Sequence, residues 1–144
     1  MKKTTIYIIS ILFIFSCKKD GTVSTTPTIK LLSVSSTSLL QFKDSLVINI
    51  EYTDGDGDIG EIEPDKNAIQ IKDKRLTKAD YYFIKPQSPP GSKIITKGTI
   101  NINVKNLFLL GSSNSEITSL EIKLKDRSGN WSNAVNTPNL TITK

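Results

Sequence analysis

From residue 29 onward the apolar side chains of this sequence recur with a period of two, and no other feature restricts its fold so strongly. Residues 45–52 (SLVINIEY) place Leu46, Ile48, Ile50 and Tyr52 on one face, with Asn49 and Glu51 on the other. Residues 119–125 (SLEIKLK) alternate more cleanly still, and residues 99–104 and 139–143 do the same. Successive side chains of a strand point to opposite faces, so each segment reads as a strand with one buried and one wet face. Weaker candidates are residues 29–34, 68–73 and 81–85. Turn signals separate them at Asp54-Gly55, Pro89-Pro90-Gly91, Gly111-Ser-Ser-Asn114 and Ser128-Gly129-Asn130. No window sustains a helical period, although residues 104–110 have room for one helical turn before Gly111. Strands are therefore expected at 29–34, 45–53, 67–73, 80–85, 94–104, 117–126 and 134–143. Together they make an all-β, antiparallel β-sandwich of about seven strands. Seven uneven strands suit an up-and-down barrel poorly.

The first residues follow a different rule. Met1-Lys2-Lys3 is cationic, and residues 6–15 form an apolar run. A run of about ten residues matches a signal-peptide core and falls short of the roughly 20 needed to cross a bilayer as a helix. Ser16-Cys17-Lys18-Lys19-Asp20 follows, and Cys17 is the sole cysteine. Residues 17–28, polar and interrupted by Pro27, read as a flexible tether, which leaves 29–144 as the folded domain.

Composition removes whole classes of chemistry. The chain has no histidine, which excludes Ser-His-Asp and Cys-His catalysis, His-ligated zinc and imidazole proton shuttles. One cysteine cannot form an internal disulfide. Without Lys2 and Lys3, 17 of the 19 basic side chains remain against 14 acidic ones, a net charge of about +3. These charges are interspersed and form no basic block, so nucleic acid is not an expected partner. Glu51, Glu61, Glu63 and Asp65 supply carboxylates, but no spacing selects an acid/base pair among them. The chain reads as a non-enzyme.

Three resemblances sharpen this reading. Ile14-Phe15-Ser16-Cys17 resembles the lipobox of bacterial lipoproteins, which implies cleavage of residues 1–16, lipidation of Cys17 and attachment to a membrane. Lys18-Lys19-Asp20 looks like the charged export signals behind the lipidated cysteine of Bacteroidetes surface lipoproteins, implying the outer membrane and exposure at the cell surface. The strand series, with its closing Asp126-Arg127-Ser128-Gly129-Asn130-Trp131-Ser132, resembles bacterial immunoglobulin-like and cadherin-like domains. In that fold the loop after the second strand and the loop after the sixth emerge at one end.

The loop after the second strand carries the most distinctive local motif, Asp54-Gly55-Asp56-Gly57-Asp58-Ile59-Gly60. Three alternating aspartates repel one another, and glycines make their backbone costly to order. A divalent cation reverses the sign of that repulsion. Calcium takes six to eight oxygens, and alternate Asp side chains with backbone carbonyls can wrap one ion. The spacing resembles the first half of an EF-hand or thrombospondin-type loop. Ile59 stands where an EF-hand needs glycine, however, and Asp65 stands where it needs glutamate. The motif looks more like the acidic loops of Bacteroidetes immunoglobulin-like lipoproteins. The expected metal set is Asp54, Asp56 and Asp58, with Asp126 facing them from the sixth-to-seventh-strand loop and structural Ca2+ as the cofactor. The alternative is a solvated, turn-rich loop that binds nothing.

Lesser signals complete the reading. Asp44-Ser45-Leu46 resembles the O-glycosylation signal of Bacteroidetes, implying modification of Ser45. Tyr81, Tyr82, Phe83 and Trp131 have the chemistry to stack on sugars, but Trp131 is expected to pack beneath its turn. The whole describes a lipid-anchored binding or structural module of the cell envelope, with an envelope protein or a glycan as partner. The alternatives are an accessory lipoprotein docked on an envelope complex and, more remotely, a small carbohydrate-active enzyme.

Overall fold

The computed structural model describes residues 23–144. The expected signal segment 1–16, Cys17 and the start of the expected tether lie outside the described residues. Ten strands follow in order: β1 (Thr28–Val34), β2 (Ser38–Leu40), β3 (Leu46–Asp54), β4 (Ile69–Asp73), β5 (Asp80–Tyr82), β6 (Thr96–Val104), β7 (Ser115–Thr118), β8 (Leu120–Leu124), β9 (Val135–Asn136) and β10 (Leu140–Thr143). The described residues contain no helix. Residues 105–110 are irregular, with Asn106 at φ 60° and Leu107 and Leu109 buried on alternate positions. Alternate burial thus resumes out of phase after the break at Lys105–Asn106, and no helical turn forms.

One layer has the order β1-β3-β6 and is antiparallel throughout. The other is built from β5-β4-β8-β9 and β2-β10-β7. These two sheets share continuous chain, since only Ser119 separates β7 from β8. The fold is thus an all-β sandwich, as the alternation requires. Leu46, Ile48, Ile50 and Tyr52 of β3 and Ile100, Ile102 and Val104 of β6 meet Ile69 and Ile71 of β4, Leu120, Ile122 and Leu124 of β8, and Leu140 and Ile142 of β10 in one core. Each fully buried aliphatic side chain contributes about 1.5–3 kcal/mol of transfer free energy.

Two expected strands change partners midway. The sixth leaves β10 at Thr118 and joins β4 at Leu120. The seventh breaks between β9 and β10, where Thr137 exchanges hydrogen bonds with the backbone of Leu120. The short β2 was not expected. It pairs in parallel with β10 and buries only Leu39, so it carries no alternation to read.

Strand direction gives the sandwich two distinct ends. At one end lie the finish of β3 and β8 and the start of β1, β4 and β6. The finish of β4, β6, β2 and β10 lies at the other. There Arg75 donates through Nη2 to Asp73 Oδ2 (2.7 Å) and through Nη1 to Glu116 Oε2 (2.6 Å). Asp73 also accepts from Thr118 Oγ1, and Glu116 accepts from the amides of Leu110 and Gly111.

Candidate metal centre

Asp54 is the last residue of β3 and falls in phase with its inward face, after Leu46, Ile48, Ile50 and Tyr52. The strand therefore turns a carboxylate into the sandwich at the position where the next apolar residue belongs. Asp54 is 0% exposed. The chain then folds back so that the Asp58 amide donates to Asp54 Oδ2 at 2.9 Å. Gly57 adopts φ +72°, and a Cβ there would sit 2.5 Å from the Ile94 carbonyl oxygen. Only glycine fits both demands.

Two other loops hold this turn. Ser88 donates its hydroxyl to the Gly57 carbonyl. Ser128 donates to Asp58 Oδ2 from its amide (3.0 Å) and its hydroxyl (2.8 Å). Arg127 donates from its amide to the Asp58 carbonyl and through Nη1 to the Gly60 carbonyl (2.8 Å). Ile59 and Asp126 form an antiparallel bridge. The loop after β3 and the loop after β8 thus meet at one end, where the sequence reading put them.

Each aspartate of the motif has an oxygen left over. Oδ1 of Asp54, Asp56 and Asp58 is buried and accepts no hydrogen bond. One carboxylate oxygen from each residue lies within 4.8 Å of the others, so the group can hold a metal ion. Thr96, the cross-strand partner of Asp54, adds a buried hydroxyl oxygen without a partner. Burial pushes the Asp54 carboxyl above the ordinary carboxylate range. The amides of Asp58 and Gly57 pull it down, and the charges of Asp56 and Asp58 push it up again. Tyr52 is raised by burial and then by the charge of Asp54.

Asp126 is at the same end but spends its carboxylate elsewhere. Its two oxygens accept from the backbone amide (2.7 Å) and the side-chain amide (2.9 Å) of Asn130. Its part in the geometry is to close the turn that presents Ser128 to Asp58. Ser45 lies exposed just before β3 at the opposite end. Trp131 is 37% exposed rather than sealed beneath its turn, with the Lys125 ammonium 5.6 Å above its ring centroid. Glu61 is buried, whereas Glu63 pairs with Lys66 on the surface.

Sequence reasoning missed Thr96, Ser88 and Ser128 as parts of this centre. For Thr96 no signal existed before the register of β3 and β6 was known. No protein-family model, curated protein or solved structure matches this chain.

Proposed function

We propose that this protein is a lipid-anchored module of the cell envelope whose immunoglobulin-like sandwich holds a calcium ion at one end. Asp54, Asp56 and Asp58 are its side-chain ligands. The observation that carries this reading is Asp54, a fully buried carboxylate with an unpartnered oxygen beside two more. Burying an ionised carboxylate without full compensation costs several kcal/mol, and two half-buried carboxylates beside it add their repulsion. A divalent cation cancels that cost. All-oxygen donors on a glycine-rich loop suit calcium, which tolerates flexible geometry, better than magnesium, which demands a near-ideal octahedron. Asp126 enters through the Arg127–Ser128 turn that steadies Asp58.

Calcium on this reading is structural. It fastens the 54–60 loop to the loops at 88–96 and 126–130, and it prepares that surface to meet a glycan or an envelope protein. Extracellular calcium modules bind with Kd of about 10⁻⁴–10⁻³ M. Saturation at 10 mM then stabilises by about 1.4–2.7 kcal/mol, a rise in Tm of about 5–10 °C. Melting curves that coincide in calcium and in chelator sink the assignment. The anchor is tested separately: Cys17→Ser should move the protein from the membrane fraction to the soluble fraction.

The second reading, docking onto an envelope complex, is favoured by an aromatic pair at the opposite end. Phe42 is 68% exposed and stacks on Phe108 with centroids 5.7 Å apart and planes 5° from parallel. Exposed apolar clusters of this kind mark interaction sites. Loss of co-purifying envelope proteins in Phe42→Ser, with the calcium response intact, distinguishes docking from a role of the acidic end.

A further inference from the structure

The charges around the three aspartates are arranged for more than a cation. A cleft of about 240 Å³ opens beside them, with Asp56 and Asp58 on its wall together with Lys93, Arg127, Ser92 and Ser128. Opposite charges thus line one cleft, yet neither Lys93 nor Arg127 is ion-paired to either carboxylate; the ion pairs of the described residues all lie elsewhere. Arg127 spends Nη1 on the Gly60 carbonyl, and none of its other side-chain nitrogens has a bonding partner. Lys93 is exposed, and its ammonium has no partner among the described residues.

A bound cation changes what this cleft sees. Once the carboxylates are neutralised, Lys93 and Arg127 face a site with a positive ion on its wall and no counter-charge of their own. The ion itself is undersupplied. Three unpartnered carboxylate oxygens and the Thr96 hydroxyl leave two to four of the six to eight positions that calcium takes. Asp56 and Asp58 border the cleft, and hard oxygen anions are the donors that calcium, ammonium and guanidinium share.

We propose that the cleft binds an oxyanion, a carboxylate or phosphate group, that ligates the calcium ion with one oxygen and is held by Lys93 and Arg127 through the others. This rests on the calcium reading, and its ligand class is the acidic group of an envelope glycan or of a phosphate ester. Ser92 and Ser128 line the rim, with their hydroxyl protons already given to the Pro89 carbonyl and to Asp58.

The test uses Tb3+, a hard cation that replaces calcium in oxygen sites, bound to the full chain in detergent. Its luminescence lifetime reports the water molecules left on the ion. Galacturonate and methyl phosphate are titrated separately. The expected result is that at least one probe displaces bound water and lengthens the lifetime. Lys93→Ala should weaken that response roughly fivefold, the scale of one partly exposed charge pair, without weakening Tb3+ binding. A response to one probe alone assigns the source of the anion, and a response to both supports the shared chemistry. Failure of Tb3+ to bind, or equal binding by Asp54→Asn, overturns the calcium reading and this inference with it. Tb3+ bound with a lifetime that neither probe moves overturns the inference alone. So does a response that Lys93→Ala leaves at full strength.

Discussion

The two ends of the sandwich both bury carboxylates, and they compensate them in opposite ways. Asp73 is 9% exposed and Glu116 is half-buried, and Arg75 lies between them with both N–H edges engaged. Burial alone would raise the Asp73 carboxyl, but the hydrogen bonds from Arg75 and Thr118 hold it below the ordinary range. The amides of Leu110 and Gly111, together with Arg75, lower Glu116 as well. At the other end Asp54 is more deeply buried, has no cationic partner, and is raised. An end whose charges close on themselves maintains the fold. An end whose charges stay open is a group of carboxylates that could hold a metal ion.

The largest expected effect breaks the closed end. Arg75→Met leaves the buried Asp73 without its counter-ion and should cost about 3 kcal/mol, the lower part of the range for breaking a buried pair. The loss, measured by urea unfolding, should be the same with calcium or chelator. A loss that calcium repairs would merge the two ends into one system. Next comes the open end. Asp54→Asn should abolish the calcium-linked 1.4–2.7 kcal/mol, yet melt no lower than the parent in chelator, because it removes an uncompensated charge. If the variant is instead destabilised in chelator, Asp54 is paired in a way its geometry does not show.

A smaller effect appears in the pH dependence, where the signs differ. Asp54 is raised in the fold, so the metal-free protein binds more protons there than the unfolded chain does. Its stability should therefore increase as pH falls through the raised value towards the unfolded value near 3.8. Asp73 is lowered, so its contribution is present above that value and is lost only as pH falls through the depressed folded value. In chelator, the difference between parent and Asp54→Asn isolates the first term. A difference that does not change with pH contradicts the burial of Asp54 as a charge. The smallest effect concerns Phe42, whose φ of 58° is unusual for a bulky residue. Phe42→Asn relieves that backbone strain and loses the stacking on Phe108. The two should offset to within about 0.5 kcal/mol.

Much of the fold was legible because its strands each bury one face. The inward set of β3 could have been followed one step further: the period of two that selects Leu46 to Tyr52 lands on Asp54, and that phase alone announces a buried carboxylate. Asp126 was legible as a neighbour of the acidic loop, through the strand directions. The use of its carboxylate was not, because the Asp126–Asn130 turn competes locally for the same oxygens. Arg75, Asp73 and Glu116 lie up to 43 positions apart on separate strands and loops, and nothing in their spacing pairs them. β2 stayed hidden because a three-residue parallel strand takes its stability from β10 and not from a pattern of its own.

That short strand also decides how the domain carries load. Val23 and Ser24 lie against Gly55 at the acidic end, while β10 runs out to Lys144 at the other. Tension applied between Val23 and Lys144 would load β1 against β3 first and then draw β2 and β10 in opposite directions along their common axis. Their parallel register, Ser38 with Thr141 through Leu40 with Thr143, and the flanking bonds from Thr141 to Thr37 and from Gln41 to Thr143, then resist together in shear instead of peeling one after another. Three residues that add little to the core thus form a mechanical clamp between the two ends of the sandwich.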